Sequence, residues 1–278
     1  MITSKRSILI LGGGGALGVA VRQHLARCAL NWDVHIWDRK ALPLLNSRAH
    51  ASAVQQFEQT LRPWLMQYRP NVVFNFAVAG GQGQLEAQAI NVDLPVWLAD
   101  ASAEMDFRLV HTSSVMVFDS SHQGPYRLDS QATASEGYGL QKKQAEDGVM
   151  ARADIPKSHI TVARLGWQIG PDPTQNTMRR FLENQAIQNA GRIRASTLWI
   201  PSCSRLEHTA GMLWELVHRE PGLYQIEGNP GLSFADIVTE LRSEYGDRPW
   251  TIERTEDFVY NQRMIDHRID MPMLFPTS

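Results

Sequence analysis

Residues 8–21 read ILILGGGGALGVAV, and this stretch decides the fold. An apolar run typical of a buried strand ends in four consecutive glycines, and an amphipathic helical pattern follows. A glycine-rich turn between a strand and a helix lets backbone N–H groups at the helix N-terminus approach a pyrophosphate. No Gly-Lys-Ser/Thr follows the glycines, which argues against a P-loop. The stretch therefore predicts a dinucleotide-binding strand–turn–helix unit.

The glycines fit two different spacings. Gly13, Gly15 and Gly18 match G-x-G-x-x-G, whereas Gly12, Gly15 and Gly18 match G-x-x-G-x-x-G. Glycines at such positions can also serve only to let a strand and a helix pack closely. The loop by itself leaves the two registers open.

An acidic residue follows the second predicted strand. Asp38 comes directly after the run at 33–37 and twenty residues beyond Gly18, where a carboxylate can accept hydrogen bonds from the adenosine ribose hydroxyls. Arg39 follows at once, and its guanidinium could instead meet a 2′-phosphate. We therefore expect NAD as the cofactor, with NADP as the alternative.

Strand-like and helix-like segments alternate through the first half of the chain. This alternation predicts an α/β protein, a doubly wound parallel-sheet Rossmann fold, because continuous apolar runs are typical of strands buried on both faces. The predicted strands are 7–11, 33–37, 71–76, 108–112 and 160–165, and the predicted helices are 17–30, 54–68, 85–104 and 139–152.

The alternation weakens after the fifth predicted strand. We therefore expect an NAD(P)-binding Rossmann domain over 1–165 and, over 166–278, a smaller C-terminal substrate-binding lobe. Some elements of this second half are expected to return to the Rossmann sheet.

The composition limits the classes of partner that the chain is expected to bind. The 278 residues include 27 Lys and Arg against 29 Asp and Glu, a net charge of −2, which gives no electrostatic reason to expect nucleic acid or an anionic membrane as a partner. No apolar run is long enough to span a bilayer, and the nine histidines show no H-x-x-x-H spacing. We expect a cytoplasmic protein without a metal site.

A candidate catalytic group follows the fourth predicted strand. The stretch YGLQK places Tyr138 and Lys142 one turn apart at the start of a predicted helix. A fixed Lys142 ammonium is expected to favour the phenolate and so to lower the pKa of Tyr138 from its ordinary value near ~10. The preceding strand ends in Ser113 and Ser114, at the sheet edge where ligands of such folds bind. A hydroxyl there could stabilise a developing alkoxide.

In this order and placement, the motifs resemble the extended short-chain dehydrogenase/reductase superfamily. The resemblance implies Ser114 as the catalytic hydroxyl, Tyr138 as the acid/base and Lys142 as its partner, and it selects the G-x-x-G-x-x-G register. Asn91 resembles the helix asparagine that supports the active site there. Further matching residues are Glu146 on the Tyr138 helix and VARLGWQIGP at 162–171. The residues assigned to the cofactor are Gly12, Gly15, Ala16, Leu17, Gly18, Asp38, Arg39, Ala77, Val78, Tyr138 and Lys142.

Within this superfamily, the chain most resembles the dTDP-4-dehydrorhamnose reductases. HTSSVMVFD at 111–119 resembles their strand and loop that run into Val-Phe-Asp, and Trp167 falls on their sugar-contacting tryptophan. Val115 and Met116 stand where those reductases usually carry an acidic residue and a tyrosine, and SRAHAS at 47–52 replaces their acidic adenine-contacting stretch. The three substrate-contact candidates are Val115, Met116 and Trp167.

The resemblance implies an NAD(P)-dependent reductase that acts on a keto group of a nucleotide-activated 4-keto-6-deoxysugar, and a homodimer as the assembly. Two alternatives stay open. One is an NAD-dependent nucleotide-sugar epimerase of the same superfamily, in which the cofactor remains bound and takes the hydride back. The other is a non-catalytic, NAD(P)-binding regulatory subunit on the same fold, since a fold alone does not establish an activity.

Overall fold

The computed structural model describes residues 5–37, 53–80, 84–171, 177–246 and 248–275. Asp38, Arg39 and the stretch 47–52 lie outside the described residues. The strands are β1 (Arg6–Leu11), β2 (Trp32–Trp37), β3 (Val72–Asn75), β4 (Arg108–Ser114), β5 (His159–Leu165), β6 (Trp167–Ile169), β7 (Arg192–Ser196), β8 (Trp199–Ile200), β9 (Cys203–Arg205), β10 (Gly222–Ile226), β11 (Thr251–Thr255) and β12 (Tyr260–Asn261). The helices are α1 (Ala16–Cys28), α2 (Ala53–Tyr68), α3 (Gln84–Gln88), α4 (Leu94–Met105), α5 (Gly137–Met150), α6 (Thr177–Gln188), α7 (Leu206–Leu216) and α8 (Phe234–Glu244).

Six strands form one parallel sheet in the order β10-β5-β4-β3-β1-β2. The chain leaves β1 toward β2 on one side and crosses back to β3 on the other, so the direction of winding reverses between β1 and β3. In such sheets a ligand crevice opens at the carboxyl ends of the strands beside this reversal. The predicted α/β fold with a doubly wound parallel sheet is confirmed.

Apolar layers cover both faces of this sheet. On one face, side chains of β1 and β3 pack against α2 and α4, with Phe57 and Leu98 fully buried between them. On the other face, α1 and α7 pack together, with Leu25 and Leu213 in the core. The last strand of the sheet, β10, and the covering helix α7 both come from the second half of the chain.

The rest of the second half has its own small core. Helices α6 and α8 pack with β7 and β9, and Leu182, Ile193 and Val238 are fully buried there. Two-stranded parallel pairs link these segments: β6 with β9, β7 with β11 and β8 with β12. Among the described helices, none combines the length and apolar composition needed to cross a membrane.

The helix predicted over 85–104 is interrupted. A π-helical turn, Ala89–Asp93, separates α3 from α4. Pro95 stands at the start of α4 and has no N–H to donate to the carbonyl of Asn91, so the regular α-helical bond at this point cannot form. Asn91 lies in the middle of this wider turn. Such π-turns are frequent at functional sites.

Candidate active site

One cavity of about 680 Å³ opens at the carboxyl ends of the sheet strands. The glycine loop and α1 line it on one side, and Ser114, Tyr138 and Lys142 line its middle. Segments from the second half of the chain form the far wall. Cofactor-loop and catalytic candidates that are far apart in sequence therefore share a single cavity. The far-wall residues from the second half are Gly166, Trp167, Gln168, Trp199, Pro201, Ser202, Leu206 and Gln262, and Leu165 at the end of β5 adjoins them.

Two positions of the glycine loop have no room for a side chain. Gly12 has a φ of +76°, and a Cβ there would lie 2.6 Å from the backbone carbonyl carbon of Phe76. A Cβ on Gly18 would lie 2.4 Å from the carbonyl oxygen of Gly12. A Cβ on Gly13 would meet side-chain atoms rather than backbone, with Ile36 at 2.7 Å and Ile10 at 3.6 Å. The backbone therefore requires glycine at 12 and 18, which favours the register that contains Gly12.

The N-terminus of α1 faces the cavity. Gly15 precedes the helix in an extended conformation, and the first turn of the helix contains no acidic residue. Its first N–H groups have no partner within the helix and carry the positive end of the helix dipole. Gly15, Ala16 and Leu17 line the cavity. This cradle fits the pyrophosphate of a dinucleotide in both shape and charge.

The two candidates after β3 are placed differently from each other. Val78 lines the cavity, with about half of its surface exposed. Ala77 lies behind the glycine loop, where its backbone nitrogen would be 2.7 Å from a Cβ on Gly12. Its N–H donates a hydrogen bond to Asn75 Oδ1 at 3.2 Å. Ala77 therefore packs closely against Gly12, and it is not one of the residues that line the cavity.

Ser114, Tyr138 and Lys142 meet at the end of β4. Ser114 is the last residue of β4, and its Oγ accepts a hydrogen bond from the Met116 N–H at 3.1 Å. Lys142 is buried on α5, and its Nζ donates to the Thr112 carbonyl oxygen at 2.9 Å. The same Nζ lies 5.6 Å from the centroid of the Tyr138 ring. The strand thus anchors the ammonium directly beside the phenol.

Burial shifts the pKa values of this pair in opposite directions. It raises the pKa of the half-buried Tyr138 phenol to about 12, so the lowering predicted from the neighbouring ammonium is wrong. It lowers the pKa of Lys142 to about 8, against a smaller opposing effect of the Glu146 carboxylate. At neutral pH the site therefore contains a protonated phenol and an ammonium ion, a combination suited to proton donation.

Asn91 connects the loop after β3 to α5, the candidate catalytic helix that carries Tyr138 and Lys142. Its Oδ1 accepts from the Ala79 N–H at 2.9 Å, and its Nδ2 donates to the Ala79 carbonyl oxygen at 3.0 Å. Nδ2 also donates to Gln141 Oε1 at 2.8 Å, one residue before Lys142. Asn91 is buried, so these bonds fix the height of α5 above the loop.

The three substrate-contact candidates line the cavity. Val115 and Met116 lie in a short 3₁₀ turn directly after Ser114, Val115 buried and Met116 exposed. Trp167 starts β6, and its ring centroid lies 6.3 Å from that of Trp199. The indole N–H of Trp199 in turn donates to Gln262 Oε1 at 2.8 Å.

Sequence analysis missed most of this far wall. Trp199, Ser202 and Gln262 belong to no motif, and pairing between distant strands brings them to the cavity. Gly166 shows how closely this pairing brings the chain together, because a Cβ there would lie 2.2 Å from Ser202 Oγ. Within the described ranges, no three His, Cys, Asp or Glu side chains come together in a way that could hold a metal ion.

Comparison with known proteins gives a consistent family. Residues 6–202 match the model of the RmlD substrate binding domain. A dTDP-4-dehydrorhamnose reductase from Aggregatibacter actinomycetemcomitans is 26% identical over 246 residues, which cover 85% of this chain and 78% of that protein.

Solved structures share the fold. The dTDP-4-dehydrorhamnose reductase of Bacillus anthracis in complex with NADP matches with a TM-score of 0.76 at 19% identity, over 97% of this chain and 96% of that chain. The ADP-L-glycero-D-manno-heptose-6-epimerase of Helicobacter pylori matches with a TM-score of 0.71 at 15% identity, over 95% of this chain and 88% of that chain. Because a reductase and an epimerase share this fold, the reaction has to be argued from the site.

Proposed function

The chain belongs to the RmlD substrate binding domain family, and we propose that it is an NAD(P)-dependent reductase of a keto group on a nucleotide-activated 4-keto-6-deoxysugar. One observation carries this proposal. Ser114, Tyr138 and Lys142 line the same cavity as a glycine loop whose backbone excludes side chains at Gly12 and Gly18.

The cofactor half rests on the loop. Gly12, Gly15 and Gly18 together with the N-terminus of α1 would hold the pyrophosphate, and Lys142 would hold the nicotinamide ribose. When bound, the reduced cofactor supplies the hydride. Asp38 is the sequence-based reason to prefer NAD over NADP.

The acid half rests on Tyr138. With a pKa raised by burial to about 12, its phenol is protonated at neutral pH and can donate a proton to the carbonyl oxygen as hydride adds to the carbonyl carbon. Lys142, anchored on the Thr112 carbonyl, keeps two further N–H donors for the phenol and the ribose.

Ser114 is suited to hold the carbonyl oxygen. A serine hydroxyl has one hydrogen to donate, and here its oxygen already accepts the Met116 N–H. The hydroxyl hydrogen is therefore left for the substrate oxygen, where a charge-assisted bond stabilises the developing alkoxide.

The choice of a 6-deoxysugar as substrate is supported by the apolar side chains next to Ser114. The side chains of the lining residues Val115 and Met116 are apolar, an isopropyl group and a thioether. A methyl group can be buried there at no cost in hydrogen bonds, whereas a hydroxymethyl group would lose a bond to water.

Cofactor oxidation by the purified full chain tests the proposal. NADH and NADPH are each mixed with dTDP-4-dehydrorhamnose and with other nucleotide-4-keto-6-deoxysugars, and the absorbance of the reduced nicotinamide is followed together with the sugar product. We expect one reduced cofactor consumed for each keto sugar reduced. Sugar conversion without net consumption would instead identify an epimerase. Cofactor binding without any conversion would identify a regulatory subunit.

A further inference from the structure

A buried polar cluster lies beneath the catalytic helix and takes no part in the chemistry described above. Arg164 on β5, Glu146 on α5 and Gln225 on β10 are each at most 5% exposed. The Arg164 Nε donates to both Glu146 carboxylate oxygens at 3.1 Å, and its Nη2 also contacts that carboxylate. Its Nη1 donates to Gln225 Oε1 at 3.2 Å. The guanidinium thus ties the catalytic helix to the edge strand of the sheet.

Gln225 reaches in the other direction as well. Its Nε2 donates to the carbonyl oxygens of Tyr126 and Ile265, both at 3.1 Å. The orientation of this amide is dictated by its partners, because a guanidinium can only donate and a carbonyl can only accept. The Gln225 side chain therefore uses its oxygen and both of its N–H donors in hydrogen bonds, as a buried amide requires.

The two carbonyls belong to two paired segments, one of which adjoins the cavity. The segment around Tyr126 is paired with the C-terminal tail: the Tyr126 N–H donates to Arg263 O at 2.7 Å, and the Ile265 N–H donates to Tyr126 O at 2.7 Å. Between these two tail residues and β12 lies Gln262, which lines the cavity.

The same cluster also reaches the turn that carries Val115 and Met116. The Arg164 guanidinium lies 4.9 Å from the centroid of the Phe118 ring, and Phe118 is the residue directly after that turn. Phe118 stacks on Tyr126 with a centroid distance of 3.9 Å. Arg164 and Gln225 therefore contact the catalytic helix, the residue that follows the turn, and the tail.

We propose that Gln225 is a positioning residue, which holds the tail and the Val115–Val117 turn in register with the catalytic helix through Arg164 and Glu146. This inference rests on the proposed reductase function. Tyr138, Lys142 and Glu146 lie at successive four-residue steps along α5, so a shift of Glu146 is carried directly to the catalytic pair. Because a misplacement of about 1 Å can cost ~10²-fold in rate, a small loss of register has a measurable effect.

Two substitutions distinguish the contact of Gln225 with Arg164 from its contacts with the Tyr126 and Ile265 carbonyls. Gln225→Leu removes the contact with Arg164 and both contacts with the carbonyls. Gln225→Glu keeps an oxygen for Arg164 and removes the N–H donors to Tyr126 and Ile265. We expect both variants to raise the KM for dTDP-4-dehydrorhamnose by roughly tenfold or more and only Gln225→Leu to lower kcat as well, since misalignment weakens positioning. The Kd for the reduced cofactor stays at the wild-type value in Gln225→Glu, which keeps the contact with Arg164.

Arg108→Met is the matched control for lost stability. Arg108 starts β4 at the opposite end from Ser114, and its Nη1 donates to Arg219 O at 2.7 Å and to Leu216 O at 3.5 Å. This variant is expected to lower Tm without changing KM or kcat. If Gln225→Leu behaves in the same way, or if Gln225→Leu fails to fold and Gln225→Glu retains the wild-type KM, Gln225 only stabilises the fold and the inference is overturned.

Amide hydrogen exchange gives a readout that needs no substrate. In Gln225→Leu, exchange is expected to accelerate at least tenfold more in the tail at 260–266 and in α5 than in the other core elements, whereas Arg108→Met, which lowers the global stability, accelerates exchange in the core elements alike. Acceleration in the tail alone would break the link to the helix and overturn the inference. A wild-type chain that oxidises neither cofactor refutes the proposed function, while this exchange result still decides whether Gln225 couples the two segments.

Discussion

The two walls of the cavity are built in opposite ways. The cofactor wall is built mainly on one contiguous loop, the seven residues from Gly12 to Gly18, whose backbone packs closely on itself and against the Phe76 backbone. The substrate wall is assembled from segments around Trp167, Trp199 and Gln262, which meet only because β6 pairs with β9 and β8 with β12.

The two walls therefore depend on different structural constraints. A contiguous loop is constrained by local sterics, so a substitution there acts where it is made. A wall assembled by long-range pairing is constrained by register, so a substitution at a crossing point displaces residues that are far away in sequence. The two walls should therefore fail independently: damage to the first weakens cofactor binding, and damage to the second weakens substrate binding.

Tyr138→Phe removes the proposed proton donor between the two walls and has the largest expected effect. Loss of the phenolic proton donor should lower kcat by about 10²- to 10⁴-fold while the Kd for reduced cofactor stays unchanged. The measurement is steady-state oxidation of NAD(P)H with dTDP-4-dehydrorhamnose, alongside fluorescence titration of the cofactor.

Tyr224→Phe is the control for that experiment. Tyr224 is a buried tyrosine of β10 whose hydroxyl donates to Glu220 O at 2.6 Å, away from the cavity. Its variant should keep wild-type kcat. Full turnover by Tyr138→Phe would remove Tyr138 as the acid and, with it, the placement of chemistry between the two walls.

Gly12→Ala is expected to damage the cofactor wall alone. An alanine at φ +76° costs roughly 1–2 kcal/mol, and its Cβ would overlap the backbone of Phe76. We expect the cofactor Kd to rise by at least about tenfold, the factor that corresponds to ~1.4 kcal/mol.

Gly14→Ala is the matched control, since a Cβ at Gly14 has no heavy atom within 4 Å. Gly13→Ala should fall between the two variants, because the Ile36 side chain can move away. A stronger effect of Gly13→Ala than of Gly12→Ala would support the other glycine register.

Gly166→Ala should damage the substrate wall alone. Its Cβ would overlap the Ser202 backbone, 2.4 Å from the carbonyl carbon, and force β6 and β9 apart. We expect a several-fold to roughly tenfold rise in the KM for the keto sugar with the cofactor Kd unchanged, since a displaced wall weakens positioning of the substrate. In Gly170→Ala the Cβ meets only the Leu206 side chain, at 3.0 Å, so a smaller effect is expected. Equal weakening of cofactor binding by Gly166→Ala would show that the walls are mechanically coupled.

The same contrast explains what the sequence could predict. Strands β1 to β5 of the sheet, the glycine loop and the Tyr138–Lys142 pair depend on patterns within a few residues, so their placement can be predicted locally, whereas β10 was not predicted. Trp199 and Gln262 reach the cavity through pairings of two-residue strands that carry no periodic signal. The π-turn at Asn91 was missed because a proline one turn later is equally compatible with an ordinary helix start. The direction of the Tyr138 pKa shift depends on burial, which no local pattern contains.

Lys142 connects the two walls electrostatically and should set the pH dependence. Burial lowers its pKa to about 8, whereas the Tyr138 phenol, with a pKa of about 12, stays protonated through the accessible range. The ammonium form is present below the Lys142 pKa and is lost as the pH rises through it. The logarithm of kcat/KM should therefore be level below about pH 8 and fall above it, by about tenfold for each pH unit.

Two lysine variants test whether the decline of kcat/KM at high pH comes from Lys142. Lys143→Gln removes the neighbouring lysine, which pairs with Asp147 at the surface, and should leave the decline of kcat/KM at high pH unchanged. Lys142→Arg keeps a positive charge at every accessible pH, because a guanidinium does not lose its proton in this range. Its activity falls, since a planar fork cannot reproduce the position of the ammonium, but the remaining kcat/KM should no longer decline above pH 8. If kcat/KM still declines above pH 8 in Lys142→Arg, the decline belongs to another titrating group. The Lys142 ammonium would then have no part in the pH dependence.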